Sequence, residues 1–367
     1  MDPISHAIFG QTLATALGRQ ASPLRTRVIA GVLGALAPDA DGLLMPVGWD
    51  VYLRAHEVGT HSLAGSLPVA GTAALIARAF ARDTPTSDLF AAAWIGCLSH
   101  IALDVVSGAR IRIGWPLVSG RVSLPLVAMA DPWLLAIFVV GAVALVIWRR
   151  RPRRTAFAVA AGVAAFLGLK AVLLSQALPP DSSPDSSKAS SILERREPKS
   201  EVREPSPGVE QGPLLMRIVQ ARWASLTEWY VFDRRADTLT QWQIEAGQPP
   251  ILLLSWPVVA DSPLVRDSRS LDTVRNFLDV HELGFAGEVP AADGGSQVLW
   301  SDLRFCWRPG VAGSEASPDP VLSASTPAGP ARIACGLWFG GAFDRNGRAL
   351  RQLVKVGGWW QTRAPER

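Results

Sequence analysis

Residues 133–154 read WLLAIFVVGAVALVIWRRRPRR: sixteen uncharged apolar residues framed by tryptophan, then five arginines in six positions. An apolar run with aromatic ends is the pattern of a helix crossing a bilayer, and a short arginine-rich loop beside it marks the cytoplasmic side. A spanning helix needs about 20 residues, fewer where flanking side chains reach for the interface. Working outward, residues 156–178 form a second apolar run, broken only by Lys170 and Gln176. Residues 61–77 and 89–103 form two more. Of the four, 133–148 reads most plainly as a span. Segments 4–18 and 28–37 are shorter and read as a helical hairpin with Arg19, Arg25 and Arg27 at its tip.

If 149–154 is cytoplasmic, alternation places residues 104–131 outside, the Arg78/Arg82 turn inside and everything after about 178 outside. Each hairpin then has its basic closed end on the cytoplasmic side. Arg110, Arg112 and Arg121, in the outer loop, run against that bias. The start, MDPISH, has an acid and no basic residue before Arg19, the reverse of a cleavable signal peptide.

The composition divides at the same place. The chain has 367 residues, 49% hydrophobic and 19% charged. Residues 1–178 carry 15 Lys/Arg and 9 Asp/Glu; residues 179–367 carry 21 and 23. The overall charge of +4 belongs to the apolar half and gives no argument for nucleic acid. Four of the five histidines (His6, His56, His61 and His100) also lie there.

Residues 179–213, rich in Pro, Ser and charge, read as a flexible linker. Beyond it the pattern becomes β-rich. Residues 229–232 and 239–242 read as a hairpin, 298–307 and 333–339 as strands, and 270–283 as an amphipathic helix ending near a packing or surface His281. Cys306 and Cys335 either pair in an oxidising compartment or stay as buried thiols. Cys97 reads as a small buried hydrophobe. The expected fold is α+β: a helical membrane-embedded domain (1–178), a linker (179–213) and a small extracytoplasmic β-rich domain (214–367).

Chemistry-bearing residues interrupt the apolar pattern. Asp39 and Asp41 follow Pro38. His56-Glu57-Val58-Gly59-Thr60-His61 precedes an apolar helix, and His100 and Asp104, at i and i+4, share one face of another. Ionisable residues inside apolar helices are rare and mark function. Asp131 before Pro132 reads as a helix cap. His6 opens the first hairpin and Asp39/Asp41 close it; His61 opens the second and His100/Asp104 close it. Both put their polar residues at the open ends, away from the arginines, and imidazoles with carboxylates suit zinc or manganese. A zincin His-Glu-x-x-His is excluded, since His56 and His61 are five apart, about 140° on a helix. No serine-hydrolase or phosphate-loop motif occurs.

The segments MDPISHA, APDAD (37–41), GTHSL (59–63) and SHIALD (99–104), in this order, resemble the inner-membrane-associated, YdjM-like metal-dependent hydrolases, a bacterial and archaeal family also described as LexA-binding. The resemblance covers about residues 1–175, and WSDLRF (300–305) resembles a strand of the longer members. It implies His6, Asp39, Asp41, His61, His100 and Asp104 as metal residues. His56 stands where members carry His-Arg-Gly; here the stretch is His-Glu-Val-Gly. Helical zinc-dependent phospholipases C are a more distant likeness and suggest a phosphoester or lipid substrate.

The expectation is an integral, multi-pass inner-membrane hydrolase using a divalent ion, zinc or manganese. His61, His100 and Asp104 would hold it; Asp39 and Asp41 would hold a second ion or supply a general base. Its partners would be the bilayer and a small-molecule or lipid substrate. The alternative is a non-enzymatic membrane protein binding a regulatory, LexA-type partner; a third is a structural anchor for the outer domain.

Overall fold

Prolines open three of the long helices. Pro3, Pro132 and Pro152 occupy first-turn positions, where a missing N–H costs no hydrogen bond. The computed structural model describes residues 1–19, 21–178, 213–258, 262–291, 294–307, 321–326, 329–356 and 359–364. The expected linker lies, except for Pro213, outside the described residues. Helices α1 (Pro3–Leu17) and α2 (Leu24–Leu36) form one hairpin, α4 (Leu63–Phe80) and α5 (Thr86–Val106) a second, and α6 (Pro132–Ile147) and α7 (Pro152–Ala177) a third. A 3₁₀ segment (Pro38–Leu44) and α3 (Trp49–Val58) join the first two hairpins.

Among the described residues three helices, α4, α5 and α7, are long and apolar enough to cross a membrane. The run that reads most plainly as a span is the short one: α6 has 16 residues, about 24 Å at 1.5 Å per residue, against about 30 Å of hydrocarbon. The Asp131 carboxylate, accepting from the Trp133 and Leu134 amides, fixes its start, and the chain turns at Trp148. Asp131 is thus the cap the sequence implies.

The hairpins pack through small residues. A Cβ on Gly34 would lie 2.0 Å from the Ala93 carbonyl, and one on Gly96 2.2 Å from that of Gly31, so α2 and α5 meet backbone to backbone. At the closed ends Arg19 pairs with Asp88 at 2.9 Å, and Arg153 donates to the Ala16 carbonyl at 3.1 Å. The opposite ends gather the polar residues.

The second half is β-rich. Strands β1 (Leu214–Ala221), β2 (Glu228–Arg235), β3 (Thr238–Glu245) and β4 (Ile251–Pro257) form an antiparallel meander. After α8 (Pro263–Ser268) and α9 (Asp272–Val280) come β5 (Gly284–Pro290), β6 (Ser296–Asp302), β7 (Cys306–Trp307), β8 (Val321–Thr326), β9 (Gly329–Cys335), β10 (Leu337–Phe343), β11 (Ala349–Val356) and β12 (Trp359–Arg363). These make a five-stranded sheet, β12-β11-β10-β6-β5, and a three-stranded one, β7-β9-β8. Two expected strands are each divided between the two sheets. Residues 298–307 break at the 3₁₀ turn Leu303–Phe305, and 333–339 break at Gly336. Cys306, just after the first break, and Cys335, just before the second, pair across β7 and β9 in a disulfide. His281, at the end of α9, is buried against Phe277 and 3.5 Å from Asp302, a packing histidine rather than a surface one.

The β-rich part does not hang free. Trp229, fully buried, shares one core with Leu103, Leu134, Phe138 and Val163 of the helices. Its indole donates to the Pro125 carbonyl at 3.0 Å, and Lys170 of α7 lies 4.6 Å over its ring while donating to the Ser225 and Leu226 carbonyls. Arg110 and Arg121, which run against the charge bias, pair with Glu282 at 2.6 and 3.1 Å. They are docking residues.

Because this core belongs to both halves, Trp229→Ala removes about 3–5 kcal/mol and uncouples them. In calorimetry the wild type is expected to melt in one transition and the variant in two; a single unshifted transition in the variant contradicts the shared core.

Candidate metal centre

Five segments deliver side chains to one point. α1 supplies His6, the 3₁₀ segment Asp39, the end of α3 His56, the turn before α4 His61, and the last turns of α5 His100 and Asp104. His6, His61, His100 and Asp104 are buried. The Asp39 and His56 side chains are about a third exposed and form the open side.

Hydrogen bonds set the tautomers. His100 Nδ1 lies 2.7 Å from the Ala35 carbonyl, which can only accept, so Nδ1 carries a proton. Thr60 donates its hydroxyl to Asp41 Oδ2 at 2.8 Å. Its oxygen therefore accepts from His61 Nδ1, 2.9 Å away. Neutral, both rings point an unprotonated Nε2 inward, and these two atoms are 3.0 Å apart. Asp104 Oδ2 stands 2.9 Å from His100 Nε2 and 3.6 Å from His61 Nε2. Asp39 Oδ1 faces the same pair from the open side, at 3.5 and 3.6 Å. Acceptors converging in a buried space repel unless positive charge sits among them; the Met1 ammonium supplies part of it, 2.5 Å from Asp104 Oδ1, and a proton on a ring or a metal ion can supply more.

The spacing fits a metal. Bonds of about 2.0–2.1 Å in a tetrahedron put neighbouring ligand atoms about 3.3 Å apart, and the separations within His61, His100 and Asp104 run from 2.9 to 3.6 Å. The backbone carbonyl behind His100 and the Thr60–Asp41 relay behind His61 are the outer partners that metal-binding histidines use.

The remaining expected residues take different places. His6 stacks on His100 with centroids 3.7 Å apart. Its Nε2 lies 3.3 Å from Asp104 Oδ1 without the alignment of a hydrogen bond, and neither ring nitrogen has a hydrogen-bond partner. His6, Asp39 and His100 form one further ligand-like group, and Asp39, His56 and His61 another. Asp41 stands one step back, holding Thr60 and His56 Nδ1, the latter at 3.1 Å. His56 and His61 do meet, at 4.0 Å between ring centres, because α3 ends at Val58 and Gly59 turns the chain. A separation of about 140° applies only along one continuous helix.

Burial holds His61 below the ordinary histidine value. It acts in the same direction on His56, where the bond to Asp41 and the nearby carboxylates outweigh it and raise the pKa. At Asp39 burial opposes ionisation, but the facing His61 and His100 imidazoles leave the carboxyl below its usual range. Tyr52, half-buried and facing Asp41, Asp39 and Asp104, is pushed up to about 12, partial burial being the main cause.

Beside the centre is a cavity of about 550 Å³ lined by Asp41 and Thr60, by the apolar Leu44, Val51 and Ala55, and by Arg54 and Asn276. Arg54 donates to Asn276 Oδ1 at 3.1 Å. Asn276, on α9, is held by Asp50 at 2.8 Å, so the β-rich half supplies one wall. Thr60 could have been read from its place beside His61. Ala35 and Asn276 carry no sequence pattern that points here.

No curated protein and no solved structure matches the chain. A family model does match residues 1–177, described as YdjM inner membrane protein. Its range ends with α7 and contains every converging His and Asp side chain, so the helical half of this chain is similar to the YdjM family of inner membrane proteins.

Proposed function

We propose that this membrane protein is a metal-dependent hydrolase of a phosphoester or lipid-type substrate. One observation carries the reading: His61 Nε2, His100 Nε2 and Asp104 Oδ2 converge within 2.9–3.6 Å, with the outer hydrogen bonds directing both histidine lone pairs inward. A divalent ion held there, zinc or manganese, supplies Lewis acidity, polarising a substrate oxygen and making water a nucleophile near neutral pH. Asp39, the more exposed carboxylate, faces the pair from the open side and acts as the general base that accepts the proton of the attacking water. Asp41 is a positioning residue: through Thr60 it holds the His61 ring. His6 and His56 are the reserve donors for a second ion.

Elemental analysis of the purified wild type is expected to give a near-integer zinc or manganese content, lost in His100→Ala/Asp104→Ala. In the same assay Thr60→Val weakens binding about 10–100-fold. A normally folded, metal-free wild type that gains no ion on titration overturns the reading in favour of a protonated imidazole.

The cavity beside the centre suits a substrate with an anionic group against Arg54 and apolar atoms against Leu44, Val51 and Ala55. With a chromogenic phosphodiester, Arg54→Ala is expected to raise KM about tenfold or more at unchanged kcat. Unchanged KM removes Arg54 from substrate recognition.

The basic closed ends and the Cys306–Cys335 disulfide support an extracytoplasmic site and β-rich half. Protease added to spheroplasts is expected to cut within residues 213–364. Cleavage only after lysis reverses the orientation.

A further inference from the structure

An apolar groove of about 900 Å³ runs along the α6/α7 hairpin, independent of the metal centre. Trp133 and Leu226 close one end; Trp148, Arg151 and Arg154 frame the other. Ile137, Val140, Val159 and Phe166 are among the apolar residues between them. From Trp133 to Trp148 the helix rises about 22 Å, enough for the acyl chains of one leaflet, whose share of the hydrocarbon is about 15 Å.

Two glycines in its lining do different things. A Cβ on Gly141 would come 2.6 Å from Val159 Cγ1, so Gly141 lets the two helices close on each other. A Cβ on Gly162 would meet no atom within 4 Å. Glycine inside a helix costs about 0.5–1 kcal/mol relative to alanine, and here no close packing accounts for it. The space in front of Gly162 belongs to the groove.

The charge is all at one end. Arg151 precedes α7 and Arg154 lies in its first turn, both exposed and both lining the groove mouth beside Trp148. Guanidinium groups bind phosphate oxygens in bidentate fashion. A tryptophan at each end suits the two interfaces of a membrane.

We infer that the groove binds one anionic diacyl phospholipid, acyl chains along α6 and α7 and phosphate on Arg151 and Arg154. The groove takes an apolar chain, and the paired arginines select net negative charge over a zwitterionic headgroup. Each arginine contributes roughly a fivefold preference.

The test is native mass spectrometry of the full chain. It is stripped of its own lipid in detergent, then loaded from equal parts phosphatidylglycerol and phosphatidylethanolamine. The wild type is expected to retain one phosphatidylglycerol per chain. Arg151→Gln/Arg154→Gln should lose the headgroup preference by tenfold or more while still binding lipid. Gly162→Trp, which fills the groove, should lose retention of both lipids at an unchanged melting temperature. Should that variant fail to fold, Gly162→Leu replaces it. Equal retention of the two lipids by the wild type, or retention unaffected by both variants, overturns the inference.

Discussion

Two imidazole nitrogens, 3.0 Å apart and out of reach of solvent, impose the central constraint on this molecule. Each is oriented by a bond made on the far side of its ring: His100 to the Ala35 carbonyl, His61 to a threonine that is itself committed to Asp41. A backbone carbonyl cannot reverse its role, and a hydroxyl already donating to a carboxylate has one direction left. The inward lone pairs are therefore consequences of the surrounding frame, and Asp104 adds a third acceptor to them. A folded state holding these groups together is disfavoured by their mutual repulsion unless positive charge is supplied. The rest of the helical half serves to keep that geometry: α2 and α5 approach at Gly34 and Gly96 closely enough for Ala35 to reach the His100 ring.

The two ends of the helical half are chemically opposite. Arginines occupy the closed ends of the hairpins, where Arg19 and Arg153 tie neighbouring hairpins together. Histidines and aspartates occupy the open ends, over which the β-rich half docks. That docking explains two of the charges in the 104–131 loop that a simple inside-positive count cannot place: Arg110 and Arg121 answer Glu282 across the junction.

Much of this was legible in the residues. Hairpin order, the breakpoints at Pro38 and Asp131, and the grouping of His61, His100 and Asp104 follow from where polar residues interrupt apolar runs. The i, i+4 spacing of His100 and Asp104 already placed them on one face. The long-range partners were not legible: nothing local in Ala35 says that its carbonyl orients a histidine 65 residues away, and Asn276 reaches the cavity only because α9 packs on α3. A helix end misled in one place: the turn at Gly59 brought together His56 and His61, which a continuous helix would have separated. In the second half, the strands at 298–307 and 333–339 looked continuous because apolar alternation does not register a change of sheet.

The cavity wall supplied by Asn276 also has a meaning in time. The converging His and Asp side chains all lie within the first 104 residues, and Asn276 comes 172 positions after Asp104. At about 5–20 residues per second, synthesis separates them by roughly ten seconds or more. For that interval the nascent chain has its acceptors in place and no β-rich wall beside them. The chamber beside these side chains is therefore complete only once residue 276 has been made and docked.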